Sequence, residues 1–212
     1  MGKRASPLTS KDTETYRVKA RDIAAHIEGL APSETAVPGD VNGFMFGDED
    51  SEVRGICVCW SPTYQVICQA IESGASMIVC HEIPFFFQTD SPWFENRKTE
   101  TKKPNLERYK LLLQHGICIY RAHSNWDVVP KYGNCDAFGA ALGFSREIAK
   151  GNLSRIYEVA PISVQDLVDR VKRCLQMDRV RVAGNLSKVV TRVGTACGGL
   201  GQFFNYPEEL AA

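Results

Sequence analysis

Ser76-Met77-Ile78-Val79-Cys80-His81-Glu82 and Gly116-Ile117-Cys118-Ile119-Tyr120-Arg121-Ala122-His123-Ser124-Asn125-Trp126-Asp127 are the two stretches on which the fold turns. Each begins as a short continuous apolar run and ends in a cluster of imidazole and carboxylate side chains. Continuous apolar runs of this length mark strands buried on both faces, the habit of parallel sheets. In such sheets ligands collect at the carboxyl ends of the strands. Two strand ends of this kind would bring His81, Glu82, His123 and Asp127 into one region. Histidine and carboxylate together suit a divalent ion such as Zn, Mn, Fe or Ni.

The flanking sequence supports an α/β chain. Residues 53–60 read as a further strand, and 63–74 as a helix with Val66, Ile67, Ala70 and Ile71 inward, stopped by Gly74. With the strand ending at Cys80 they make a βαβ unit over 53–82. Upstream, 16–30 has helical periodicity, with Val18, Ile23, Ile27 and Leu30 on one face and Ala31-Pro32 as its stop. Residues 38–50 are rich in turn formers. Residues 106–115 form a helix with Tyr109, Leu112 and Leu113 toward the core. Beyond 145, a helix over 163–175 with Ser163 as N-cap is expected, followed by strands at 179–183 and 189–197. Residues 1–15 read as a mobile polar tail without a secretory h-region. Residues 88–105, with Pro92, Pro104 and three lysines, read as an insertion loop.

Composition narrows the function classes. The 212 residues carry 25 basic and 25 acidic side chains, so no global charge argues for direct nucleic-acid binding or an anionic membrane. No apolar run approaches transmembrane length. The eight cysteines are scattered, and most fall inside apolar strands, where cysteine acts as a small hydrophobe; a reducing, cytoplasmic setting is expected. There is no phosphate loop of the Gly-x-x-x-x-Gly-Lys type.

An internal similarity adds to this. Val53-Arg54-Gly55-Ile56-Cys57-Val58-Cys59 aligns without gaps with Thr191-Arg192-Val193-Gly194-Thr195-Ala196-Cys197, matching Arg54 to Arg192 and Cys59 to Cys197. Two similar α/β units follow: 16–144, with the strand-end residues, and 145–212, incomplete because the chain stops inside its expected helix.

The chain resembles the Nif-three-like family of dinuclear-metal proteins, whose bacterial members carry the name GTP cyclohydrolase I type 2 homologue. Glu28-Gly29-Leu30-Ala31-Pro32 resembles the family's opening helix and its stop, and Gly39-Asp40-Val41-Asn42-Gly43-Phe44 the turn that follows. His81-Glu82 stands where the family has paired histidines, and Ala122-His123-Ser124-Asn125-Trp126-Asp127 resembles its His-Thr-Asn-Leu-Asp motif. Gly133-Asn134-Cys135-Asp136 resembles the stretch beyond.

The resemblance implies a fold of two intertwined α/β units with mixed sheets flanked by helices. It implies His81, Glu82 and Asp127 as metal ligands, with His123 as a further ligand or a hydrogen-bond partner of one. It also implies a homo-oligomer, ring-like and hexameric in the family. Two functions stay open: a metal-dependent hydrolase of a small nucleotide-like substrate, and a non-catalytic module that meets a transcription regulator. Two departures count against full activity. Ser61 stands in place of a family aspartate, and the C-terminal Gly-His-x-x-x-Glu ligand motif has no counterpart here.

Overall fold

The computed structural model describes residues 17–85 and 103–198. The expected tail over 1–15, residues 88–102 of the insertion expected over 88–105, and the helix expected after Gly198 lie outside the described residues; residues 103–105 of that insertion are not loop but the first residues of a helix.

Strands β2 (Ile56–Cys59), β3 (Met77–Cys80) and β4 (Cys118–Arg121) run parallel, and β1 (Gly43–Phe46) joins β4 antiparallel, giving the order β1-β4-β3-β2. The two expected apolar runs occupy the middle of this sheet, and all four residues of β4 are buried. Side chains alternate between the faces. Met77, Cys118 and Tyr120 pack with Ala20 and Ala24 of α1 (Ala20–Leu30). Ile78, Cys80, Ile117 and Ile119 pack on the other side with Ile67 and Ala70 of α2 (Tyr64–Glu72) and Leu112 of α3 (Lys103–His115). The sheet therefore lies between helices, as expected for parallel strands.

Local chemistry fixes the helix ends. Asp22 accepts from Lys19 N at 2.9 Å at the start of α1, and Thr63 Oγ1 accepts from Val66 N at the start of α2. After α1, the Glu28 carboxylate accepts from Ser33 N, Ser33 Oγ and Tyr120 Oη, tying the helix end to β4. Burial opposes ionisation of Glu28, but these hydrogen bonds outweigh it and lower its pKa.

Past β4 come a short turn of helix, α4 (Ser124–Asp127), and α5 (Asn134–Ala141). A second sheet, β5-β6-β7 (Glu147–Lys150, Ser154–Ser163, Val189–Ala196), is antiparallel, with α6 (Val164–Leu175) between β6 and β7. Leu167, Val171 and Leu175 of α6 pack on the cluster of Leu142, Phe144 and Tyr157. Ser163 caps α6 as expected, accepting from Asp166 N at 3.0 Å.

Several expectations are corrected. The turn-rich 38–50 region contains β1, whose flanking glycines hide a strand. Residues 179–183 form no strand: their Val-Arg-Val alternation meets no partner edge among the described residues. Strands β5 and β6 were not anticipated. The strand expected over 53–60 is confined to Ile56–Cys59. Leu30, Tyr109 and Leu113 are exposed; in α3 the inward positions beside Leu112 are Asn105 and Arg108. The Arg108 guanidinium donates to Asn105 Oδ1 at 2.7 Å and to the Pro62 carbonyl, so α3 meets α2's entry through a polar contact.

Candidate metal centre at the strand ends

Main-chain hydrogen bonds hold the three parallel strand ends together past the last ladder pair. His81 N and Glu82 N both donate to Trp60 O, and Ala122 N donates to Cys80 O. His81 and Glu82 thus leave β3 beside Trp60 at the end of β2, and His123 leaves β4 one residue after Ala122.

Two imidazoles face each other there, each held by a carboxylate. His81 Nε2 lies 3.0 Å from Asp127 Oδ1, and His123 Nδ1 lies 2.8 Å from Asp40 Oδ2. A carboxylate only accepts, so the nitrogen facing it carries the proton, and in the neutral tautomer the other nitrogen keeps a lone pair. For His81 that other nitrogen is Nδ1. Among the described residues it is buried without a hydrogen-bond partner, and Glu82 Oε1 lies 3.9 Å from it. The two rings meet edge to face with centroids 4.5 Å apart. One ligand atom each from His81, Glu82 and His123 falls within 4.8 Å of the others.

The supports are themselves anchored. Asp127 is only 6% exposed in its side chain and also accepts from Asn134 Nδ2. Asp40 accepts from Ser124 N and Oγ and pairs with Arg121 Nη1 at 2.9 Å. Burial disfavours its charge. The hydrogen bonds from His123 and Ser124, with the positive charges of His123 and Arg121, outweigh that and hold the Asp40 carboxyl far below the usual range. Arg121 also donates from Nε to His81 O at 2.9 Å and from Nη1 to Val41 O, so one guanidinium ties both strand ends to the turn before β1. Asn125, fully buried, donates to Ala31 O and accepts from His123 N, which explains its place in the motif as structural.

Trp60 stacks on His81 with centroids 3.9 Å apart and planes 16° from parallel. It forms one wall of a groove of about 600 Å³ with Val58, Val79, Trp126, Ile23 and Ile27, into which Asn134 also reaches.

The structure therefore brings together His81, Glu82 and His123, and sets Asp127 on the outer nitrogen of His81. Asp40, Arg121, Asn134 and Trp60 complete the surroundings and were not among the site residues expected from sequence. Asp40 was visible only as part of a turn motif, since its role depends on β1 returning beside β4.

Fold and site define a class: an α/β protein whose parallel strands deliver histidines and a glutamate to one carboxylate-braced pocket. The chain belongs to the DUF34/NIF3 (NGG1p interacting factor 3) family, whose model matches residues 18–209. It is 29% identical over 205 residues to the GTP cyclohydrolase 1 type 2 homolog of Clostridium perfringens, covering 92% of this chain and 75% of that protein. A second relative of the same name, from Streptococcus pneumoniae, is 26% identical over 202 residues, covering 91% of this chain and 72% of that protein. The fold is similar to that of a Bacillus cereus protein related to NIF3, with TM-score 0.72, 17% identity, and coverage of 88% of this chain and 78% of that one. Among the described residues, no helix is long and apolar enough to cross a membrane.

Proposed function

We propose that the protein binds a divalent metal ion at the strand ends and uses it as a hydrolase of a small, nucleotide-like substrate. His81, Glu82 and His123 would hold the ion, with Asp127 and Asp40 fixing the two imidazoles. The observation that carries this reading is the buried, unpartnered Nδ1 of His81 beside Glu82 and His123. An orphaned buried lone pair costs stability unless something fills it. The Asp127–His81 and Asp40–His123 pairs match the carboxylate–histidine arrangement that orients metal-binding imidazoles.

The donor set of two imidazoles and one carboxylate suits Zn, Fe, Mn or Ni. A divalent ion in this place supplies Lewis acidity. The remaining work falls to the chain. Asp127 keeps the proton of His81 on Nε2, away from the pocket. Trp60 covers one face of the His81 ring and limits water there. The groove offers aromatic and aliphatic walls to a flat heterocycle, and Asn134 offers an amide at its rim. The names of the relatives from Clostridium perfringens and Streptococcus pneumoniae favour a purine nucleotide as the first substrate to try. Self-association into a homo-oligomer belongs to the same proposal.

Elemental analysis of the purified chain tests the first step. The expected result is stoichiometric transition metal in the parent and none in a His81→Ala variant that keeps its far-UV circular dichroism. Asp127→Ala should retain the ion with about 10–100-fold weaker affinity. A parent without metal, before and after incubation with each of the four ions, would end this reading.

A further inference from the structure

The groove beside His81 has an almost wholly apolar wall. Ile23 and Ile27 come from α1, Ile56 and Val58 from β2, and Trp60 and Trp126 add their indoles. Ile56 and Val58 lie opposite Met77 and Val79 in the β2–β3 ladder, on the side of the sheet that α1 covers. The cover stops short of the edge strand, and Val58 is 78% exposed. What remains is a trough open to solvent, ending at the His81 ring on which Trp60 is stacked. Its volume of about 600 Å³ lies within the range of roughly 300–1,000 Å³ usual for small-molecule sites.

Charge and hydrogen bonding narrow what fits. Among the described residues no lysine or arginine lines the groove. Arg121, which donates to His81 O, is buried and already shared with Asp40 and Val41 O, and the charged side chain next to His81 is the Glu82 carboxylate. A phosphate laid against this wall would lose water and gain no counter-charge. Asn134 brings an amide to the groove, and its orientation is fixed. Asp127 only accepts, so the Asn134 NH₂ group faces it and the amide oxygen is left over. Among the described residues nothing donates to Asn134 Oδ1, so a ligand that meets it there has to bring the proton.

We propose that the groove holds its substrate by an uncharged, flat heteroaromatic ring that donates an N–H to Asn134 Oδ1, and that it gains nothing from a phosphate. The class that fits is a lactam- or amino-bearing base, free or as its nucleoside; a phosphate on the same molecule stays in water. The indoles and aliphatic side chains supply the stacking and apolar contact, which are tolerant of ring identity. The Asn134 oxygen supplies the selection, because a ring that presents only acceptors at that point leaves two oxygens or nitrogens facing each other without a proton. That the ring is then acted on rests on the metal-site reading above; its binding does not.

The test is calorimetric titration of the full chain, held in chelator so that no ion adds affinity for phosphate. Inosine is the probe, because N1–H is the only N–H its base carries. Inosine should bind, its 5′-monophosphate should bind no tighter, and 1-methylinosine should bind roughly 3–10-fold more weakly. Asn134→Leu should close the gap between inosine and 1-methylinosine; a gap that persisted would be a steric effect of the methyl group and would overturn the role of Asn134. Val58→Lys, at an exposed wall position, should reverse the order, with the monophosphate tighter than inosine by roughly 2–5-fold at low salt and the difference fading as salt is added. The proposal is overturned by a parent that binds the monophosphate several-fold tighter than inosine, or that binds no inosine. The metal-site reading stands or falls separately: no inosine binding by a chain that takes up stoichiometric metal sinks this proposal alone, whereas inosine binding by a chain that takes up no metal sinks only the other.

Discussion

The parallel and antiparallel sheets of this chain place their charged residues differently. In the first, β3 and β4 are enclosed by helices on both faces, and charge appears only where the strands end. In the second, all four residues of β5 are exposed and β7 shows a mostly exposed face. Arg121 and Arg146 show the consequence. Arg121 is 4% exposed in its side chain and bridges Asp40, Val41 O and His81 O; Arg146 is 69% exposed and meets Glu158 at 2.7 Å. Enclosing a sheet thus concentrates its polar groups into a small, mutually satisfied set at one end. The uncovered edge strand β5 leaves its charges in water, where each matters little, whereas Arg155 at the covered start of β6 is buried on Asp136.

Removing single groups should break or sharpen that contrast. The largest effect is expected from Arg121→Ala, which removes the buried guanidinium shared by Asp40, Val41 O and His81 O. Urea unfolding should show a loss of about 3–5 kcal/mol. Gly139→Ala comes next. A methyl there would run into the buried Tyr157 hydroxyl where α5 packs on β6, and the same measurement should show a loss of about 1–3 kcal/mol.

A smaller and pH-dependent effect belongs to Glu28. Its folded pKa is lowered from 4.5, so the stability it contributes is fully present above that value. It is lost as pH falls through the folded value, because the unfolded chain then binds the proton more readily. Glu28→Gln should cost about 1 kcal/mol at neutral pH, and the gap from the parent should close on acidification below about pH 4. A gap that widened in acid would reverse the assignment. The smallest change is expected from Arg146→Ala, under about 0.5 kcal/mol and shrinking further with added salt. Were Arg146→Ala as costly as Arg121→Ala, the contrast between the sheets would fail.

Much of the first sheet was legible in the sequence because β3 and β4 are buried on both faces, which leaves an unmixed apolar run. Strand β1 was not, since Gly43 and Gly47 bracket it and read as turns. Strand β6 was missed for a different reason. Ser154, Arg155 and Tyr157 are buried there by α5, the Asp136 carboxylate and β7, none of which the local pattern announces. The false strand at 179–183 shows the converse: alternation without a partner edge does not make a ladder. At the site, His81, Glu82, His123 and Asp127 were legible because they directly follow recognisable strands. Asp40 was not, for it reaches His123 only through the β1–β4 pairing. Gly133 illustrates the same limit. A side chain there would collide with the carbonyls of Trp126 and Asp127, so this glycine lets α5 begin close enough for Asn134 to reach Asp127.

The indole of Trp60 lying flat on His81 gives the pocket an optical reporter. An excited indole loses emission to a protonated imidazole in contact with it and regains emission when the ring is neutral or its electrons are engaged elsewhere. The state of the His81 ring is therefore written in the protein's own fluorescence, and titrating a closed-shell ion such as Zn while watching that emission would follow the pocket in real time without any label.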